Sequence, residues 1–243
     1  MIWTTKTISM TTNNAVLITA AGSSQRFGEK KEFLPLHPDT HTSVLSACLY
    51  AFTSTGCFSR YVVTIPQGQV EAAYSLLTAD TRLSSFFDTH RDSLHIVEGG
   101  TSRQESVYKG LLTLADKNIT CILVHDGARP WVSGEVITSV LTATEQYGAA
   151  VPAISVTDTQ KEVDETGKII RHLRRDRLAA VQTPQGFRFE PLLYAHRQAY
   201  NDGKTYTDDS EIYARYCGSV YICPGSRENK KITYREDLSE GTL

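Results

Sequence analysis

No run of about 18 apolar residues occurs anywhere in the 243-residue chain, which argues against a membrane-spanning helix. The opening residues, MIWTTKTISMTTNN, lack a continuous apolar stretch. They do not read as a secretory signal, and residues 1–14 are expected to be a flexible lead-in. Positive charge is not in excess. Lys and Arg number 25 against 27 Asp and Glu, a net charge of -2, which gives no electrostatic case for nucleic acid or a membrane surface as partner. Cysteine is sparse and scattered: Cys48, Cys57, Cys121, Cys217 and Cys223 are an odd number with no C-x-x-C pair. That pattern argues against a zinc site and for a reducing, cytoplasmic setting. Neither G-x-G-x-x-G nor G-x-x-x-x-G-K-[ST] is present, so neither of those phosphate-binding motifs is indicated. Internal repeats and low-complexity tracts are also missing.

What is present is a regular alternation. Ala15-Val16-Leu17-Ile18, Tyr61 to Ile65, Leu94 to Val97 and Cys121 to Val124 are short apolar runs of the kind that form strands buried on both faces. Between and after them lie stretches with helical spacing: Val44 to Phe52, Val70 to Leu77, Val107 to Leu114, and a helix opened by Ser133. Ser102-x-x-Glu105 has the form of a capping box. Strands alternating with helices predict an α/β fold, Rossmann-like, with a mostly parallel sheet and flanking helices in a single domain over residues 15–243. Residues 154–178 break the rhythm. They are polar on both faces with a Gly-containing turn, and they predict a β-hairpin arm that protrudes from the body.

In parallel sheets ligands bind beyond the carboxyl ends of the strands. Thr19–Arg26, Glu98–Arg103 and His125–Pro130 each follow such a strand end, so three polar or glycine-rich segments are expected to line one crevice. After the first strand come Ala20-Ala21-Gly22-Ser23-Ser24, then Arg26, Lys30 and Lys31. A loop of small residues lets backbone N–H groups approach an anion, and the basic side chains add full charge. Taken alone, the same residues also fit an ordinary turn followed by a solvated basic face. Gly99-Gly100 ahead of Arg103 and Ser106 can admit a flat base, or can simply open a capped helix. Asp126 and Arg129 can meet a substrate or pair with each other. His125 reads as a packing residue.

Ala20-Ala21-Gly22-Ser23-Ser24-Gln25-Arg26-Phe27 followed by Lys31-Glu32-Phe33-Leu34 resembles the signature loop of nucleotidyltransferases that make nucleoside-diphosphate sugars and alcohols. Within that superfamily the chain most resembles the 2-C-methyl-D-erythritol 4-phosphate cytidylyltransferases, and the likeness runs from residue 15 to about 240. Gly99-Gly100-x-x-Arg103-x-x-Ser106, His125-Asp126-Gly127-Ala128-Arg129-Pro130, Thr157-Asp158-Thr159 with Lys161, Arg174-Arg175-Asp176 before Thr183-Pro184-Gln185, and Asn229-Lys230-Lys231-Ile232-Thr233 follow in that family's order. Thr101 stands where relatives can carry an acidic residue, Gly127 replaces an alanine, and Ala179 takes a frequent tryptophan position.

The resemblance implies a transfer of cytidylyl from CTP to a polyol phosphate, with release of pyrophosphate. Arg26, Lys31, Arg175 and Lys231 would be the catalytic cations. Ala20, Ala21, Gly22, Gly99, Gly100, Arg103 and Ser106 would hold the nucleotide, and Asp126, Arg129 and Thr159 the acceptor. It further implies Mg²⁺ or another divalent cation carried mainly by the CTP phosphates, and a homodimer in which the arm reaches the second subunit. A cytidylyltransferase for another polyol phosphate, such as ribitol 5-phosphate, and a non-catalytic nucleotide-binding protein are the alternatives.

Overall fold

The computed structural model describes residues 13–22, 27–36 and 41–239. Most of the expected lead-in, and Ser23 to Arg26 of the glycine loop, lie outside the described residues. Asn14 is buried, and the Asn13 carbonyl accepts the Thr120 N–H, so the chain is already tied down just before the first strand.

The apolar runs form the centre of the molecule. β1 (Ala15–Thr19) lies between β2 (Arg60–Ile65) and β4 (Cys121–Asp126), and β3 (Leu94–Glu98) closes that edge, all four parallel. Alternate residues of β1 serve opposite faces. Val16 and Ile18 join a core with Leu45, Phe52, Leu77 and Val140, while Ala15 and Leu17 join one with Val107, Phe187 and Leu192. The helices α1 (Val44–Thr53), α2 (Val70–Ala79), α3 (Ser84–His90) and α5 (Gly134–Tyr147) cover the first face. The second is covered by α4 (Arg103–Leu112) and α6 (Phe189–Asn201). Burial on both faces explains why β1, β2 and β4 read as continuous apolar runs rather than as alternation, while β3 at the edge is only half-buried.

The other half of the sheet is mixed. β5 (Ala149–Ser155) and β10 (Tyr221–Pro224) pair in parallel, but β9 (Gln185–Arg188) lies antiparallel between β4 and β5. β8 (Ala179–Val181) pairs antiparallel with the outer part of β5. The sheet order is β10-β5-β9-β4-β1-β2-β3. The alternation is therefore interrupted by one strand that returns through the middle of the sheet, and this insertion carries Thr183 to the end of β4, where its Oγ1 accepts the Asp126 N–H at 3.0 Å.

The hairpin is present as a separate two-stranded sheet of β6 (Lys161–Val163) and β7 (Ile169–His172). Its paired part is shorter than the 154–178 stretch. Asp164 organises the turn by accepting from Thr166 N–H, Thr166 Oγ1 and Lys168 N–H, and Gly167 supplies a positive φ. Val163, Ile169 and Ile170 are exposed on it. Among the described residues no helix is long and apolar enough to cross a membrane, and all five cysteines are free.

Candidate active site

Parallel pairing in register sets Thr19 at the end of β1 beside Asp126 at the end of β4. The order β3-β2-β1-β4 reverses direction there, and ligand crevices form at such a switch, beyond the carboxyl ends of the strands. A cavity of about 490 Å³ occupies it. Its walls come from the three segments expected to converge: Ala21 and Gly22 after β1, Gly100 to Arg103 after β3, and Asp126 and Ala128 at β4. A fourth segment, with Lys231 and Thr233, closes it.

The glycine-loop wall is anchored locally. Lys30 Nζ donates to the Gly22 carbonyl at 3.0 Å, and a 3₁₀ turn, Lys31–Phe33, brings Lys31 and Glu32 to the cavity, both mostly buried. Phe27 packs with Val44 and Ile232, fastening this wall to the segment that carries Lys231. Ile232 N–H also donates to the Ala128 carbonyl at 2.8 Å.

On the opposite wall Gly99 N–H donates to the Ile65 carbonyl, and Gly100 N–H donates to Ser106 Oγ, whose own proton goes to the Ser102 carbonyl. Ser102 caps α4 through the Glu105 N–H, but Glu105 bonds Thr101 rather than returning to the cap, so only half of the capping box forms. There is no room for a side chain at Gly99, where a Cβ would meet the Ala21 Cβ and Ser106 Oγ, or at Gly100, where it would meet Glu105. Gly99→Ala is therefore expected to destabilise the protein by roughly 1–3 kcal/mol through overpacking and to weaken nucleotide binding, since Ala21 and Ser106 both line the cavity. Urea melts and CTP titration of the variant check both parts.

Asp126 is the hub. Its Oδ2 lies 2.7 Å from Lys231 Nζ and its Oδ1 3.2 Å from Arg103 Nε, while Arg129 Nε is 4.0 Å away. Burial works to raise this carboxyl, but the charges of Arg103 and Lys231, together with the Lys231 hydrogen bond, outweigh it and hold Asp126 well below the ordinary aspartate range. It stays an anion whenever the protein is folded near neutrality. Arg103 is pinned a second time, with Nη1 at 2.8 Å from Oδ2 of the fully buried Asp209 at the start of α7 (Asp209–Tyr216).

His125 lies directly behind this hub. It is buried, packs edge-on to Phe52, donates from Nε2 to the Arg129 carbonyl at 3.0 Å and accepts at Nδ1 from Thr183 Oγ1 at 3.2 Å. Burial pulls its imidazole down to about 4. The sign follows: an unfolded histidine takes up a proton below about pH 6.5, whereas the folded one resists until about 4. Stability contributed by neutral His125 is full above the unfolded value and is lost as pH falls through that window. Between pH 7 and 4.5 the native protein is expected to lose on the order of 2–3 kcal/mol more than His125→Gln. Denaturant unfolding at the two pH values measures the difference.

Of the residues singled out from sequence, Ala21, Gly22, Lys31, Gly100, Arg103, Ser106, Asp126 and Lys231 line the cavity. Ala20 and Gly99 sit just behind its walls, held by the Thr64 and Ile65 carbonyls. Arg129 is turned away: Nη1 donates to the Asn229 carbonyl at 2.7 Å, and Asn229 in turn holds the Thr183 carbonyl, so Arg129 braces the segment that carries Lys231. Arg175 and Thr159 lie exposed at the arm and do not reach this chain's own cavity wall. Arg175 donates to the Thr157 carbonyl, while the neighbouring Arg174 is paired with Asp176 at 2.6 Å. Arg26 lies outside the described residues. Thr19, which opens the expected segment Thr19–Arg26, also lines the cavity, whereas Glu32 and Asp209 were not singled out. Glu32 comes in beside Lys31 on the same 3₁₀ turn, but nothing in the sequence joins Asp209 to Arg103.

An open sheet with a small-residue loop, a glycine pair and several cations at one strand-end crevice defines a nucleotide-binding α/β protein of the nucleotidyltransferase class. The family model described as 2-C-methyl-D-erythritol 4-phosphate cytidylyltransferase matches residues 14–242, and the chain belongs to that family. A protein of that name from Pelotomaculum thermopropionicum is 39% identical over 228 residues, covering 93% of this chain and 91% of its own length. One from Bacillus cereus is 36% identical, with 92% and 93% covered. The crystal structure of the Thermus thermophilus protein of the same name superposes with a TM-score of 0.72 at 29% identity, covering 93% and 95% of the two chains.

Proposed function

We propose that the chain transfers a cytidylyl group from CTP to 2-C-methyl-D-erythritol 4-phosphate, giving 4-diphosphocytidyl-2-C-methyl-D-erythritol and pyrophosphate in the non-mevalonate isoprenoid pathway. Besides family membership, the observation that carries this is the crevice itself: Arg103, Lys31 and Lys231 on three separate segments, with Asp126 between two of them. An acceptor phosphate oxygen forms the new bond to the α-phosphorus of CTP. The bond from that phosphorus to the α–β bridging oxygen breaks, and pyrophosphate leaves with the electron pair. The attacking oxygen is already anionic, so no general base is needed. This fits a cavity in which no histidine lines the wall among the described residues and His125 is spent on packing. The chemical task is to bring two anions together and stabilise charge growing on the leaving group, which is work for fixed cations and backbone donors.

In this scheme Arg26 and Lys31 face the triphosphate. Gly22, Gly100, Arg103 and Ser106 hold base and ribose, with Ala20, Ala21 and Gly99 shaping the wall. Lys231 and Arg175 steer the acceptor phosphate, and Asp126 and Thr159 hold its hydroxyls. Arg129 serves the acceptor indirectly, through its brace on the Lys231 segment. Among the described residues no group of three or more His, Cys, Asp and Glu is placed to hold a metal, and both Asp126 oxygens already face cations. Mg²⁺ keeps water and substrate oxygens as ligands, so it is proposed to arrive with the CTP phosphates.

The arm residues need a second subunit. Arg175 and Thr159 stand clear of their own cavity, and Val163, Ile169 and Ile170 on the arm, like Val181, Tyr221 and Ile222 on the neighbouring sheet edge, are exposed apolar groups. A homodimer in which each arm covers the partner's edge would bury these groups and deliver Arg175 to the partner's crevice. A cytoplasmic enzyme fits the five free cysteines.

The test is pyrophosphate release in a matrix of the four nucleoside triphosphates against several polyol phosphates. Turnover is expected with CTP and methylerythritol phosphate, and poorly with UTP, because fixed polar partners near Gly100 and Ser106 are left unpaired by the wrong base edge. Preference for ribitol 5-phosphate would move the acceptor assignment, and no release from any pair would leave a nucleotide-binding protein without this activity.

A further inference from the structure

Arg103 is held by two carboxylates, and one of them lies outside the cavity wall. Asp209, the first residue of α7, has no exposed side-chain surface, which is costly for a carboxylate unless it is paired. It is paired twice: Oδ2 with Arg103 Nη1 at 2.8 Å, and Oδ1 with His196 Nε2 at 3.1 Å. His196, on α6, is itself fully buried and stacked on Tyr108 of α4, the helix that Arg103 begins. The start of α7 is held in place independently. Asp208 caps it through the Glu211 N–H, and the same Asp208 accepts from Gln185 Nε2 on β9 at 2.7 Å. Burial works to raise the Asp209 carboxyl, but Arg103 and His196 more than offset this and keep it below the ordinary range. The guanidinium is thus clamped between Asp126 on the cavity side and Asp209 behind, which leaves little freedom in its orientation.

We propose that Asp209, seated on His196, is a positioning residue for nucleotide recognition, acting only through Arg103. The inference rests on the cytidylyl-transfer reading, in which Arg103 faces CTP. Without Asp209 the arginine keeps Asp126 alone and swings with it towards Lys231, so the nucleotide meets a misdirected cation. Misplacement by about 1 Å is enough to cost up to 10²-fold.

Asp209→Asn keeps the shape and removes the charge. Its KM and dissociation constant for CTP are expected to rise about 10–100-fold, with the acceptor KM within about twofold of the native value. In an Arg103→Gln background the same change is expected to add no more than about a factor of two, because the residue it works through is gone. A simple loss of packing would instead lower the melting temperature equally in both backgrounds and leave CTP affinity alone. If Asp209→Asn does not fold, the double replacement His196→Gln and Asp209→Asn, a neutral hydrogen-bonded pair, carries the same expectation. Native CTP affinity in a folded Asp209→Asn protein, or a full further loss in the Arg103→Gln background, overturns the proposal. Failure of the reading beneath it is distinguishable: the wild-type protein would then neither turn over nor bind CTP.

Discussion

Lys31→Ala is expected to lower kcat by about 10²–10³-fold, or roughly 2–4 kcal/mol, the size of effect found when one donor is removed from a site that stabilises developing negative charge. Lys31 sits in a short turn at the cavity wall with most of its surface already out of water, where a cation acts through a lower effective dielectric than at the surface. Its backbone belongs to a short 3₁₀ turn, and circular dichroism of the variant checks that the fold survives the change. If the lysine stabilises charge mainly in the transition state, kcat and kcat/KM fall together. If it only binds the triphosphate, KM for CTP rises and kcat stands. Steady-state kinetics with CTP varied at saturating acceptor separates the two, and near-native kcat removes Lys31 from the chemistry.

The second large effect concerns the arm. Arg175→Ala is expected to raise the KM for the acceptor and depress turnover while leaving CTP affinity little changed, because Arg175 is remote from the wall that meets the nucleotide. If each arm completes the partner's site, two inactive proteins can repair one another. Subunits carrying Lys31→Ala, mixed with subunits carrying Arg175→Ala, form a heterodimer in which one site has both lesions and the other has neither. About half of the native activity per dimer is expected to return when the sites act independently. No recovery after verified subunit exchange would mean that the arm serves its own chain.

The half of the sheet that binds the nucleotide was legible because physics writes it plainly. β1, β2 and β4 are buried on both faces and carry apolar runs, β3 carries one half-buried at the sheet edge, and the rule that ligands gather at strand ends then brought Gly22, Gly100 and Asp126 together. The strand that returns through the middle of the sheet was not. β9 is four residues long, contains Gly186, and pairs with strands that begin some distance earlier in the chain, so it offers neither periodicity nor a local turn signal. Helix α3 carries Phe86 and Phe87 side by side, a pattern without a helical stripe. The site shows the same division. Arg103, Ser106 and Lys231 came from motifs, whereas Asp209 belongs to no motif and stands beside Asp208 at the start of a helix. Asp208 caps that helix, and Asp209 is free to turn inward to Arg103. Arg129 shows the opposite case: a motif residue whose guanidinium is taken by the Asn229 carbonyl, a partner 100 residues away.

The most direct measurement is phosphorus NMR of CTP, methylerythritol phosphate, Mg²⁺ and the protein in one tube, because it reports which bond breaks. Attack at the α-phosphorus is expected to replace the three CTP resonances and the acceptor monoester with two coupled diphosphate resonances and the single line of pyrophosphate in equal amounts. Release of CDP with a newly phosphorylated acceptor, hydrolysis to CMP with the acceptor unchanged, or an unaltered spectrum at high protein concentration would each contradict cytidylyl transfer.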